Sequence, residues 1–268
     1  MQPAPPGDVM IGTSHVETVM GMAVSFDLRD DIDPVALLDA TDWLHHVDAT
    51  FSTHAIDSPI SRFGLGEITI DELIAGDSGE GIAEVLAMCD RFHDESNGVF
   101  DVTAVRAPNG SSFDPSGLVK GWSLDRAASI LEGHGARNFT INGGGDIAIR
   151  GEQRPGIPWT IGVRHPWESE RTAAVLALTG SCSIATSATY ERGAHIVDPR
   201  TGEPTAEVAS MTIVGPDLTV VDVCATTAFV MGVIGLDWLM ETHPECEGFV
   251  ITLDGLTYET PGFDALRA

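Results

Sequence analysis

The order in which extended and helical periods follow one another is the tightest constraint on what this chain can fold into. Val16, Met20, Met22, Val24, Phe26 and Leu28 fall on alternate positions, with Glu17, Ser25, Asp27 and Arg29 between them, which is the period of a half-buried strand. Helical spacing follows at once. Asp33-Pro34 supplies an N-cap and an N1 proline, and Leu37, Leu44, Val47 and Phe51 share one face, so a helix is expected over about 34–50. A second is expected through Ile82, Val85, Leu86 and Cys89 behind the cap Ser78, and a third from Trp122 to Leu131, stopped at Gly133. Short β-like runs cluster at 137–142, 146–150, 159–163, 172–178, 211–214 and 248–253, and a last helix is expected to begin at Asp222. Strands and helices therefore do not alternate strictly. No GxGxxG follows the first strand and no GxxxxGK[ST] occurs, so dinucleotide-fold and P-loop readings fail at their defining residues. The expected class is α+β. One compact domain over 13–268, with mixed or antiparallel sheets and packed helices, should follow a flexible N-terminus at 1–12.

Charge narrows the partners. Fourteen basic residues against 40 acidic ones give −26 at pH 7, which opposes binding to nucleic acid or anionic lipid. An anionic ligand would need a local cation or a nest of backbone N–H groups. With 43% hydrophobic and 20% charged residues the chain should be globular rather than disordered. Cys89, Cys182, Cys224 and Cys246 form no CxxC pair and read as reduced core residues. The first residues show neither a basic n-region nor an apolar h-region, so a cytoplasmic location is expected. The run Val223–Gly235, flanked by Asp222 and Asp237, is shorter than the roughly 18 residues a membrane span requires and is expected to be a buried helix. Oligomeric state is not legible.

Four clusters carry chemistry-bearing residues. In FDPSGLVKG, Phe113 to Gly121, Asp114, Gly117 and Lys120 precede a helix; Lys120 is either merely solvated or, with free N–H groups of the turn, a holder of an anion such as phosphate. NGGGD, Asn142 to Asp146, is either a tight hairpin or a close approach of backbone to ligand. His195 lies in ATSATYERGAHIVDPRTGEP, Ala185 to Pro204, as a structural histidine or a proton carrier, beside the turn signal Asp198-Pro199. In VDVCATTAF, Val221 to Phe229, Asp222 and Thr226 stand at i and i+4. Asp222 is either an N-cap or shares a hard cation with Thr226 at the first turn, with Mg2+ suited to oxygen-only ligands.

Taken together and in this order, the segments resemble the ApbE family of FAD:protein FMN transferases. The stretches that carry the resemblance are TVMGMAVSF, FSTHAIDSPISRF, GVFDVT, DPSGLVKGWSLDRAASIL, NGGGDIAIRG, ATSATYERGAHIVDPRTGEP and VDVCATTAFVMG, running from about residue 15 to 235. Two positions depart from the family pattern: Gly64 stands where an Asn follows SRF, and Ala188 replaces the glycine of TSG. GVFD and FDPSG are also separated by only the short stretch Val102 to Phe113, where most members carry several tens of residues.

The resemblance implies a T-fold-like α+β architecture, FAD as substrate and Mg2+. It implies that Met20, Val99, Phe100 and Asp101 contact flavin and adenine, that Asp114 and Lys120 contact FAD, and that His195, with Ile196 beside it, lies next to the pyrophosphate. The Gly117 carbonyl, Asp222 and Thr226 are the implied Mg2+ ligands, and His195 and Lys120 the implied catalytic pair. The implied reaction is transfer of FMN from FAD to a threonine hydroxyl of an acceptor flavoprotein with release of AMP. With water as acceptor the same site would be an FAD pyrophosphatase, and without turnover a flavin-binding carrier.

Overall fold

A computed structural model describes residues 12–104, 107, 109–189, 198–200, 202, 205 and 207–268. Its centre is an eight-stranded sheet of order β1-β2-β3-β4-β7-β8-β9-β10. The strands are β1 (Thr13–Val19), β2 (Met22–Leu28), β3 (Phe139–Gly143), β4 (Asp146–Arg150), β7 (Cys182–Ala188), β8 (Val208–Gly215), β9 (Glu247–Thr252) and β10 (Thr257–Glu259). β5 (Trp159–Arg164) and β6 (Thr172–Leu178) form a separate ribbon. Every strand pairing among the described residues is antiparallel, so the mixed-sheet alternative gives way to an antiparallel one within the expected α+β class.

Helices α1 (Pro34–Phe51), α5 (Ser116–Gly133), α6 (Leu218–Met231) and α7 (Gly235–Thr242) contribute Leu44, Leu124, Leu131, Val221, Phe229 and Leu239 to a core against Phe26, Phe139, Ile141, Met211 and Val250 of the sheet. The opposite face is covered at β4, β7, β8 and β9 by the β5–β6 ribbon and Phe263. Both faces of these strands are thus covered, and β8 is buried along its whole length, with Ser183, Ser187, Ser210 and Thr212 buried among the apolar residues. Such strands lose the alternation that marks a half-solvated one. The single strand expected from Val16 to Leu28 is instead a hairpin, because Met20 and Gly21 take positive φ and turn the chain; Val16 is exposed, and only β2 keeps the expected buried face through Val24, Phe26 and Leu28. β7 was not among the expected strands. α2 (Pro59–Gly64), α3 (Ile70–Ile74) and α4 (Gly79–Glu95) pack with α1 and α5 around Ile60, Leu73, Val85, Phe92 and Trp122.

Two helix starts differ from expectation, and two helices are additional. α5 begins at Ser116 rather than Trp122, so Gly117 and Lys120 lie inside the helix and not in a loop before it. α6 begins at Leu218 because Asp217 caps it through the Val220 N–H (3.0 Å); Asp222 is therefore not an N-cap and sits one turn in. The short helices α2 and α3 are additional, each with a side-chain cap, Ser58 and Thr69.

The helical stretch Leu218–Thr242 is long and apolar enough to cross a membrane, its most apolar 18-residue window having mean hydropathy 1.9, but 67% of that window is buried inside the fold. Gly232 at φ 80° interrupts it. It is two core helices joined by a short 3-10 turn at Gly232–Ile234.

The short connection after residue 101 folds back on α2. Asn109 Nδ2 donates to Ser61 Oγ (2.6 Å) and the Ser112 N–H to the Gly64 carbonyl (3.3 Å). A Cβ on Gly64 would lie 1.8 Å from Ser111 Oγ. The short loop thus occupies the space a side chain at 64 would need.

Candidate active site

Strands β2, β3, β4 and β7 bring four loop or strand ends to one edge of the sheet, and the first turns of α5 lie against it. The β3–β4 hairpin is the expected reading of NGGGD: Gly144 and Gly145 take φ 66° and 106°, and the Gly145 N–H donates to Asn142 Oδ1 (2.9 Å). Directly after this turn comes Asp146, whose side chain is 4% exposed. Its Oδ1 accepts from the Thr186 N–H (3.1 Å) on β7, and its Oδ2 pairs with Lys120 Nζ.

Lys120 reaches two carboxylates. Its second partner is Asp222 Oδ1 at 3.3 Å, and Asp222 Oδ2 accepts from the Gly121 N–H at 3.1 Å. Close approach of α5 and α6 makes this possible. A Cβ on Gly121 would stand 2.7 Å from the Leu218 carbonyl oxygen and 3.0 Å from Thr219 Cα, so only glycine after Lys120 lets the helices meet. Asp125, one turn further along α5, locks the crossing by accepting from the N–H groups of Leu218 (3.1 Å) and Thr219 (2.7 Å).

The electrostatics follow from two carboxylates sharing one ammonium. Burial works to lower the Lys120 pKa, but Asp222 and Asp146 outweigh it and hold the amine above its ordinary value. Burial lifts the Asp222 carboxyl to about 7; Lys120 opposes the lift and Asp146 adds to it. The site carries an excess of negative charge that a cation would relieve.

Thr226 lies one helical turn beyond Asp222, on the same face, and its hydroxyl is 2.9 Å from Ser187 Oγ on β7. The N–H that α-helical geometry assigns to the Gly117 carbonyl, that of Gly121, is engaged by Asp222. Among the described residues no group of three or more His, Cys, Asp and Glu could hold a metal. A single carboxylate, a hydroxyl and a carbonyl, all oxygen, suit instead a hard ion that takes the rest of its shell from water and phosphate, as Mg2+ does. The residues present fit that ion.

Met20 closes the β1–β2 hairpin in the left-handed region, φ 54°, where a side chain other than Gly, Asn or Asp is uncommon. The Met20 N–H donates to Asp48 Oδ2 (3.2 Å) on α1. The Ser123 hydroxyl lies 3.8 Å from the Met20 sulfur and 2.8 Å from the Lys120 carbonyl, so Met20 is tied to the helix that carries the lysine. Val99 and Phe100 are buried, and a Cβ on Gly117 would stand 3.7 Å from the Phe100 ring. Asp101 accepts from the Thr103 N–H (2.7 Å) and Asp114 from the Ser116 N–H (3.0 Å), each within its own turn. His195 and Ile196 lie outside the described residues. Sequence reading missed the roles of Asp146, Ser187 and Asp48. Only Asp146 had a visible signal, as the acid that ends the glycine run.

The sequence pattern of the ApbE family matches residues 104–250, more than half of the chain. The chain belongs to the ApbE family. A FAD:protein FMN transferase of Vibrio cholerae is 34% identical over 128 residues, 44% of this chain and 38% of that relative's length. One from Haemophilus influenzae is 26% identical over 247 residues, 70% of each. Two solved structures share the fold. The flavin transferase ApbE from Vibrio cholerae superposes with TM-score 0.80 at 23% identity, covering 95% of this chain and 99% of that one. The ApbE protein from Thermotoga maritima gives 0.76 at 21%, covering 96% and 99%.

Proposed function

We propose that this protein transfers FMN from FAD to a threonine hydroxyl of an acceptor flavoprotein and releases AMP, with Mg2+ held by Asp222, Thr226 and the Gly117 carbonyl. The single observation that carries the reading is Lys120 poised between Asp146 and Asp222, with Thr226 one helical turn beyond Asp222 on the same face, in a chain of this family. A pyrophosphate entering so acidic a protein needs both an ammonium and a metal ion to offset its charge. Bound Mg2+ would neutralise the non-bridging phosphate oxygens and so favour attack at phosphorus.

In the transfer, the acceptor oxygen forms a bond to the FMN-side phosphorus while the bond from that phosphorus to the bridging oxygen breaks, and AMP leaves with the bridging oxygen. The acceptor proton passes to a base, for which His195 is proposed. Lys120 faces the phosphates and stabilises their charge. Met20, Val99, Phe100 and Asp101 are proposed to line the flavin and adenine pocket, with Asp114 and Ile196 as further FAD contacts. The free cysteines among the described residues suit the cytoplasm, which is the proposed location.

The decisive experiment is mass spectrometry of an acceptor bearing a threonine flavinylation motif after incubation with FAD and Mg2+. One added FMN, abolished by EDTA and restored by Mg2+, is expected. FMN and AMP without acceptor labelling would make the protein a pyrophosphatase, and undiminished transfer in chelator would overturn the metal assignment.

A further inference from the structure

Asp146 has no part in the chemistry just described, yet its side chain is the more buried of the two carboxylates on Lys120, 4% exposed against 6% for Asp222. Its Oδ1 is fixed by the Thr186 N–H (3.1 Å), where β4 and β7 pair. The turn Gly144-Gly145 precedes it immediately, and the strand it opens is held on both sides, by β3 and by β7. Its Oδ2 therefore meets the lysine from a rigid support. Asp222 is differently placed, with Oδ2 taken by the Gly121 N–H and Oδ1 left to Lys120 at 3.3 Å. Of the two Asp222 oxygens only Oδ1 is free of a backbone N–H, so a divalent cation taking it meets the ammonium on the same atom, and two positive charges on one oxygen repel.

We propose that Asp146 is a positioning residue that keeps the Lys120 ammonium when a divalent cation takes the Asp222 oxygen it touches at 3.3 Å in the metal-free protein, so that the lysine stays in the site to meet a phosphate. The inference rests on the Mg2+ reading above. It explains why the lysine of this helix needs two acids when one would neutralise it. It also explains why Asp146 is anchored by backbone from a neighbouring strand rather than by a mobile side chain. Without Asp146 the ammonium has a single partner left, and the cation must displace it.

The test is calorimetric titration of Mg2+ alone into flavin-free wild type, Asp146→Asn, Lys120→Met and the double variant. Asparagine keeps the acceptor for Thr186 and loses only the charge. Asp146→Asn should bind Mg2+ about tenfold more weakly, the range typical when a partner that orients a metal ligand is lost. Lys120→Met should bind at least as tightly as wild type. The double variant should return to within about threefold of wild type, because the competing ammonium is gone. Unchanged affinity in Asp146→Asn overturns the proposal. So does a double variant as weak as Asp146→Asn, since Asp146 would then act on the cation directly. If Asp146→Asn fails to fold, Lys120→Met decides alone, and weaker Mg2+ binding by it sinks the idea. Wild-type protein that binds Mg2+ but labels no acceptor fails the transfer reading only, whereas wild type that binds no Mg2+ overturns both.

Discussion

Strands β2, β3 and β4 end very differently at their two edges. At one edge Asp30 accepts from the N–H groups of Arg137 (2.5 Å) and Asn138 (2.6 Å) and from Asn138 Nδ2 (2.9 Å), while Asn138 Oδ1 takes the Glu152 N–H (3.0 Å). The Asp30 and Asn138 groups named there are paired with partners of the right kind, although Arg29 Nε beside them is buried without a hydrogen-bond partner. At the other edge Met20 stands at φ 54°, and two buried carboxylates share one lysine. A glycine or asparagine at 20 and an amide at 222 would suit stability better. Strain and like charge persist where the surrounding structure enforces them, and such places cluster at functional sites. The same three strands are thus a support at one edge and a loaded site at the other.

The comparison breaks most sharply at Asp222. Asp222→Asn should lower FMN transfer by 10²-fold or more, about 2.7 kcal/mol of barrier, while the melting temperature in EDTA holds or rises because one of two neighbouring negative charges is gone. Thr226→Ala should also lose activity, and the double variant should be little worse than the weaker single one, since both act on one ion. Initial rates beside thermal melts check this. Full activity in Asp222→Asn would turn the loaded edge into ordinary core.

At the supporting edge the pattern should reverse. Asp30→Ala removes the acceptor for three donors, two of them backbone, and should cost about 2–3 kcal/mol of stability, while FMN transfer per folded molecule is kept. Urea unfolding monitored by tryptophan fluorescence measures the first and the acceptor assay the second. Lost activity with unchanged stability would mean that the two edges communicate.

Met20 sharpens the comparison further. Ala and Asn at 20 both lose the thioether, but Asn tolerates the left-handed region and Ala does not. Met20→Asn should therefore be more stable than Met20→Ala by about 1 kcal/mol, or some 2–4 °C in melting temperature for a domain of this size. Both should weaken flavin binding measured by flavin fluorescence. Equal stability would mean that Met20 carries no backbone strain.

How much of this was legible depends on whether the signal is local. The Asp33-Pro34 start of α1 and the alternation in β2 are local, and both elements stand where expected. The Gly-rich β3–β4 turn was legible for the same reason. The start of α6 was misplaced at Asp222 because Val220, Val221 and Val223 are uniformly apolar and offer no phase; the cap in the structure is Asp217. β7, Cys-Ser-Ile-Ala-Thr-Ser-Ala, is built of small and polar residues with a single large apolar one, Ile184, and so carries no strand period. The partnership of Asp146 with Lys120 joins residues far apart in sequence, and nothing near either one announces it. Asp222 and Thr226 were picked out by i, i+4 spacing on a helix, which survives a wrong helix start.

The smallest effect expected is in the pH dependence of stability, where the two edges should titrate with opposite sign. Asp30 is pushed up by burial, but hydrogen bonds from the Asn138 side chain and from the N–H groups of Arg137 and Asn138 outweigh this and hold its pKa below the usual 3.8. A carboxyl depressed in the folded state contributes stability that is full above its unfolded pKa and is lost as pH falls through the folded one. The stability gap between wild type and Asp30→Ala should accordingly be constant from pH 7 to about 5 and narrow below about pH 4. Asp222 goes the other way in metal-free protein. Its folded pKa, lifted by burial and by Asp146 to about 7, lies above its unfolded value, so its contribution is greatest below about pH 4 and is lost as pH rises through about 7. In EDTA, then, wild type should be less stable than Asp222→Asn at pH 8 and should draw level as the solution is acidified to pH 5. Mg2+ should erase this difference by holding Asp222 ionised. Melting curves of the three proteins across pH 3.5–8, with EDTA and with Mg2+, are the measurement. A wild-type deficit relative to Asp222→Asn that grows on acidification would reverse the sign assigned to Asp222 and leave Asp30 as the only edge residue whose titration the fold governs.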